Sequence, residues 1–244
     1  MVLALAITGC AGNKNVKATA DRQATAETVK LLEGLKSLQQ EGIMFGHQDD
    51  LSYGHTWVYP NGESDVRAVC SDFPAVYGMD LGHFELSSPI NLDTVPFEEM
   101  RTHVRSAYSR GGIVTFSWHL NNPLTGGTAW DVTSDKVVAS VLPGGGNHEK
   151  YKKWLDNIAG FFLSLNDDQG KPIPVIFRPY HEHTGSWFWW GQKLCTADEF
   201  RDLWRFTVEY LGKTCNVHNL LYAYSSSGDF TSAEEYLERY PGDD

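Results

Sequence analysis

Pro172-Ile173-Pro174-Val175-Ile176-Phe177-Arg178-Pro179-Tyr180-His181-Glu182-His183-Thr184-Gly185-Ser186-Trp187-Phe188-Trp189-Trp190-Gly191 changes character half-way along its length. Pro172 to Pro179 is an apolar, β-branched run of strand length. It gives way to charged and aromatic residues within a glycine-bounded turn. Thr196 to Leu211 then reads as a helix. A strand that delivers polar groups at its C-terminal end and passes into a helix is one β-loop-α unit.

Outward from this unit the pattern repeats. Ile43 to His47, Ala75 to Asp80, Ile113 to His119 and Asn219 to Tyr224 read as further strands. Helices are expected over Ala24 to Gln40, Ser64 to Ser71, the segment containing Pro96 up to Ser109 (capped by Asp93 or Thr94), His148 to Leu165, and Ser232 to Tyr240. A short helix lies between loops at Asn121 to Thr128 and Pro143 to Asn147. The polar loops all follow strands, and the returns at Gly42, Gly111-Gly112 and Gly170-Lys171 are short. With strands apolar enough to be buried on both faces, this asymmetry predicts a (β/α)8 barrel with its site built from the βα loops. A doubly wound sheet is the rival, but no glycine-rich phosphate fingerprint follows the first strand.

Composition bounds the function. The chain has 244 residues, 41% of them hydrophobic, with 12 Phe, 11 Tyr and 8 Trp, which excludes a disordered polypeptide. No apolar run approaches the roughly 20 residues of a membrane-spanning helix. A net charge of -11, from 31 acidic against 20 basic residues, argues against nucleic acid as a partner. Residues 1–10, MVLALAITGC, end in Ile7-Thr8-Gly9-Cys10, which resembles a bacterial lipobox with Cys10 as the lipidated residue. Residues 11–23 then read as a polar tether and residues 24–244 as the folded domain. That predicts a protein secreted or lipid-anchored at the bacterial cell envelope (outer membrane surface or periplasmic face), touching membrane only through Cys10. Cys195 and Cys215 flank a helix of about 24 Å at about 1.5 Å per residue, too far for a disulfide, so they and Cys70 are expected as free thiols.

Strand alternation would place Ile176, Arg178, Tyr180 and Glu182 on one side. A carboxyl beside aromatic rings is partly desolvated, the setting of a general acid, and apolar ring faces match the C–H faces of sugars. Glu182 beside exposed tryptophans therefore suggests glycoside chemistry, against the plainer reading of Glu182 as a salt-bridge partner of Arg178 and the tryptophans as core. His119, in Trp118-His119-Leu120-Asn121-Asn122-Pro123 at a strand-to-loop junction, is a candidate substrate contact. His47 is either a substrate contact or a support, and Asp80 is a support for substrate or a neighbouring histidine. His181 and His183 form an H-x-H pair, but this is a weak metal signature and no metal or cofactor is assigned.

The segments FGHQDD, AVYGMDLG, FSWHLNNP, RPYHE with GSWFWWG, and YAYSSS resemble glycoside hydrolase family 26, the β-mannanase family, over Ala24 to Asp244. The resemblance implies a (β/α)8 barrel and endo-acting, retaining hydrolysis of β-1,4-mannosidic bonds in mannan, glucomannan or galactomannan. It implies Glu182 as acid/base, His119 and Trp187 as substrate-binding residues, and Arg178 and His181 as active-site neighbours, with Trp190 and His47 added from the reading above. Many members carry Met-Asn where this chain has His183-Thr184. A β-1,3-xylanase or mixed-linkage glucanase within the family, or a non-catalytic glycan-binding surface lipoprotein, are alternatives.

A retaining mechanism needs a second carboxylate about 5 to 5.5 Å from the first, which the family supplies as a Glu ending the seventh strand. Strand starts near 43, 75, 113, 173 and 219 set about 44 residues per unit, so eight units need roughly 350. The sequence is thus expected to hold about the first five units of a C-terminally truncated catalytic domain, without the nucleophile and inactive alone. Asp80, Glu85 and Asp229 do not occupy the matching position.

Overall fold

Five parallel strands lie side by side in chain order, β1 (Gly46–Gln48), β2 (Val76–Asp80), β3 (Ile113–Ser117), β4 (Val175–Arg178) and β5 (Leu220–Tyr222). The computed structural model describes residues 19–59, 62–228 and 230–243; Cys10 and Asp229 lie outside them. An order without reversal has no switch point, so the sheet is not doubly wound. Because parallel crossovers are right-handed, the intervening helices fall on one face, as around a barrel. The helices are α1 (Ala26–Leu38), α2 (Asp65–Cys70), α3 (Phe97–Ser109), α4 (Val137–Val141), α5 (His148–Leu163), α6 (Ala197–Glu209) and α7 (Ala233–Glu238), of which α2 to α6 lie between strands. Among the described residues, no helix is long and apolar enough to cross a membrane.

Register explains which side is core. Tyr77, Val114, Val175 and Leu220 form one row across four strands, and Met79, Phe116 and Phe177 form the next. All seven are buried, with Phe161 and Phe162 of α5 edge-on against Phe116 and Phe162 edge-on against Phe177. The opposite face carries Gly78, Thr115, Ile176 and Leu221 in register and is only half-buried. Burial on both faces, expected from the apolar strands, is therefore corrected to burial on the helix side. α6 shows the helical logic: Phe200, Leu203, Trp204 and Thr207 are its buried stripe, and Thr196 with Glu199 completes a capping box.

Several boundaries differ from expectation, three of them for identifiable local reasons. The first strand starts at Gly46, and Ile43 and Phe45 are 101% and 62% exposed, because β1 pairs with β2 alone among the described residues. α3 has no side-chain cap: Pro96 is its N-cap, while Asn91 Oδ1 accepts the Asp93 and Val95 amides and shapes the approach. Asp21, assigned to the tether, is part of the folded body, with its carboxylate 2.7 Å from His218 Nδ1 below β5. Cys70, Cys195 and Cys215 are free.

Candidate active site

A polar row closes the C-terminal end of the half-buried face, where register aligns Asp80, Ser117 and Arg178. Asp80 is 2% exposed and fully bonded. It accepts from Ser117 Oγ at 2.5 Å, Gly82 N at 2.7 Å, His119 N at 3.2 Å and His119 Nδ1 at 2.7 Å. Burial alone would raise its pKa, but the His119 hydrogen bond and charge, with Ser117 and Gly82, outweigh it and hold Asp80 below the usual carboxylate range. Asp80 is therefore the support for His119, fixing its ring and the proton on Nδ1.

His119 Nε2 then meets His181 Nε2 at 3.1 Å. His181 is buried, and burial, followed by the His119 and Arg178 charges, pushes its pKa down to about 3. A neutral His181 has one N–H, so one ring of the pair donates and the other accepts. Trp190 Nε1 donates to the His181 carbonyl at 2.8 Å, fixing the backbone one residue before Glu182.

Glu182 is presented by an irregular turn. Strand geometry ends at Arg178, and Tyr180 and Glu182 have φ of 48° and 56°, so the expected alternation does not extend to them. Tyr180 is instead fully buried among Trp190, Phe200 and Trp204. Glu182 is half-buried at the mouth; its amide donates to the Ser225 carbonyl at 2.7 Å and its Oε2 accepts from Trp187 Nε1 at 2.9 Å. Arg178 donates to Ser225 Oγ at 3.1 Å rather than to Glu182. Trp187 is 39% exposed and lies over Gly185, where an added Cβ would sit 2.3 Å from the indole; only glycine permits that approach.

The aromatic run divides its roles. Trp187 faces solvent, whereas Phe188, Trp189 and Trp190 are buried, so Trp190 supports His181 and does not offer a sugar-stacking face. Trp189 ties the β4 loop to the β3 loop by donating its amide to Ala129 O at 3.1 Å and its indole N–H to Leu120 O at 3.2 Å. Sequence reasoning missed Trp130. It is 48% exposed and stacks on His119 with centroids 5.0 Å apart and planes at 11°. Its signal was an aromatic in the polar excursion after β3.

The remaining candidates stand apart. His47 Nδ1 lies 3.3 Å from Asp50 and outside the His119–His181 pair. His183 points away from His181 into a sandwich between Phe200 and Tyr224, so the H-x-H pair diverges. Among the described residues, no three His, Cys, Asp or Glu side chains gather as a metal cage. Glu85 is buried and bonded by Trp118 Nε1 at 3.1 Å and Asn121 N at 2.8 Å, with its pKa raised to about 7 chiefly by burial. It anchors the β3 loop. Asp80 and Glu85 are thus both committed to structural partners, and neither is free to act as a nucleophile.

The sequence model of glycosyl hydrolase family 26 matches residues 20–244. A mannan endo-1,4-beta-mannosidase of Bifidobacterium adolescentis is 37% identical over 96% of this chain. A family 26 β-mannanase structure from Bacteroides ovatus, BoMan26A, superposes with TM-score 0.88 at 50% identity over 89% of the chain. A modular endo-beta-1,4-mannanase from Cellulomonas fimi does so with TM-score 0.85 at 41% identity over 93%. The chain spans 23% of the Bifidobacterium protein's length and 63% and 52% of the two solved chains.

Proposed function

The chain belongs to glycosyl hydrolase family 26, and from that membership we propose that it forms the acid/base half of an endo-acting, retaining β-1,4-mannan hydrolase acting on mannan, glucomannan or galactomannan. The observation that carries this reading is the Glu182–Trp187 pair: a half-buried carboxyl held 2.9 Å from the indole N–H of a solvent-facing tryptophan. Glu182 protonates the leaving glycosidic oxygen and, in the second step, takes a proton from the attacking water. Trp187 and Trp130 offer exposed ring faces to sugar C–H groups. His119 and His181, held by Asp80 and Trp190, and Arg178, held by Ser225, form the polar floor beside them.

The second carboxylate of the retaining pair comes from a later strand end, outside the five strands described. A polypeptide of residues 1–244 alone is then expected to show no more than trace hydrolysis. The test incubates it, and the same sequence within a chain extended through three further β/α units, with mannan, β-1,3-xylan and mixed-linkage glucan. Reducing sugar released from mannan by the longer chain only is the expected result. Efficient release by residues 1–244 sinks the divided-site reading, and preferential release from xylan or glucan reassigns the specificity. Manno-oligosaccharide binding that survives Glu182→Gln, with no hydrolysis by the longer chain, makes the protein a glycan-binding lipoprotein instead.

Ile7-Thr8-Gly9-Cys10 supports lipid attachment at the cell envelope. Incorporation of labelled palmitate in a bacterial host, abolished by Cys10→Ala, is expected; labelling unchanged by the substitution contradicts it.

A further inference from the structure

The acid/base turn is unusual in needing two non-glycine residues, Tyr180 and Glu182, in the left-handed region. Such backbone persists only where its surroundings over-determine it. For Tyr180 those surroundings are two barrel helices. Tyr180 OH bonds Tyr151 OH from α5, and both phenols lie 2.7 Å from Thr207 Oγ1 of α6. Thr207 Oγ1 in turn lies 2.8 Å from the Leu203 carbonyl. All three side chains are fully buried. Burial raises the pKa of both phenols, so each keeps its proton. Three O–H protons then fit one chain, Tyr151 to Tyr180 to Thr207 to Leu203 O, with no hydroxyl lacking a partner.

Resting on the reading of Glu182 as the acid/base, we propose that Tyr151 and Thr207 are positioning residues for it, acting through the hydroxyl of Tyr180. The sheet alone does not fix Glu182, because strand geometry ends at Arg178. What fixes it on one side is the Glu182 amide on Ser225 O. On the other it is Tyr180, whose ring packs edge-on against Trp190, Phe200 and Trp204 and whose hydroxyl reads the separation of α5 and α6. Apolar packing holds the ring in the layer; the hydroxyl triangle sets how deep it sits. Depth at Tyr180 is passed two residues on to the Glu182 carboxyl.

The test compares Tyr151→Phe, Thr207→Val and Thr207→Ser in the mannan-hydrolysing chain, using two substrates that differ in their need for an acid. Mannohexaose has a poor leaving group; 2,4-dinitrophenyl β-mannobioside leaves without protonation. Tyr151→Phe and Thr207→Val should lower kcat/KM on mannohexaose about tenfold, part of the total worth of a general acid, and leave the dinitrophenyl substrate within about twofold. Thr207→Ser, which keeps the hydroxyl, should restore most of the loss. Equal losses on both substrates, or no loss on either, overturn the proposal. A wild-type chain that hydrolyses neither overturns the functional reading instead.

Residues 1–244 give a second readout that needs no activity. In Tyr151→Phe the indole N–H resonance of Trp187, which bonds Glu182, should shift, while that of Trp118, which bonds Glu85, stays in place. An unmoved Trp187 resonance, or shifts spread over every tryptophan, counts against the proposal.

Discussion

Replacing His183 by methionine should flatten the acid limb of the stability profile. The imidazole is fully buried between Phe200 and Tyr224, with centroids at 4.7 Å and 4.5 Å, and neither ring nitrogen has a hydrogen-bond partner. Burial first, and the Arg239 charge second, push its pKa down to about 3. In the unfolded chain the same ring titrates near ~6.5. Between those two values the unfolded state binds more protons, so stability is complete above about pH 6.5 and is lost as pH falls toward about 3. At pH 5 the unfolded His183 lies about 1.5 units below its pKa, which at about 1.36 kcal/mol per unit is a loss of about 2 kcal/mol relative to pH 8. His181 and His103, pushed down to about 3 and about 4, act in the same window in both proteins and cancel in the difference. Equilibrium urea unfolding followed by tryptophan fluorescence supplies the test. The stability of His183→Met relative to wild type should rise by about 2 kcal/mol between pH 8 and pH 5. Parallel losses in the two proteins would mean that the fold does not hold His183 neutral.

Other expectations concern the site itself. Gly185→Ala puts a Cβ 2.3 Å from the Trp187 ring, so the indole must move and its bond to Glu182 breaks; calorimetry should show manno-oligosaccharide affinity reduced about tenfold, or about 1.4 kcal/mol, as in Trp187→Ala. Trp130→Ala should weaken binding by a similar factor while leaving the unfolding midpoint nearly unchanged, because the ring is 48% exposed. Asp80→Asn removes the buried charge beside His119 and leaves a donor where only acceptors are used. Urea unfolding at pH 7 should show a loss of about 2 to 4 kcal/mol.

The sequence was most legible where one residue sets the backbone. Gly42, Gly111-Gly112 and Gly170 mark the returns between units, and Glu182 is placed after the fourth strand by counting alone. It was least legible where tertiary packing chooses among similar residues. Nothing in Trp187-Phe188-Trp189-Trp190 distinguishes the ring that meets solvent from the three that fill the core. Alternation predicted one side for Arg178, Tyr180 and Glu182, because non-glycine left-handed residues leave no compositional mark. The loop following β3 was expected near the site as a βα loop, but nothing in its polar sequence showed that it brings Trp130 onto His119. Asp93 and Thr94 had the right chemistry to cap α3, but Asn91 shapes a turn that leaves Pro96 at the cap position. Ile43 and Phe45 read as buried from hydrophobicity, which does not report that, among the described residues, β1 pairs with β2 alone.

Glu182, in the turn after β4, is proposed as the acid/base of a retaining β-mannosidic cleavage. Azide added to Glu182→Ala probes that role, in the mannan-hydrolysing chain and with 2,4-dinitrophenyl β-mannobioside as substrate. Slow turnover that azide accelerates is expected, with β-linked glycosyl azide as product, because a missing base no longer limits attack on the glycosyl-enzyme. An α-linked azide would identify Glu182 as the nucleophile, and turnover of mannan at the wild-type rate would remove it from the chemistry altogether.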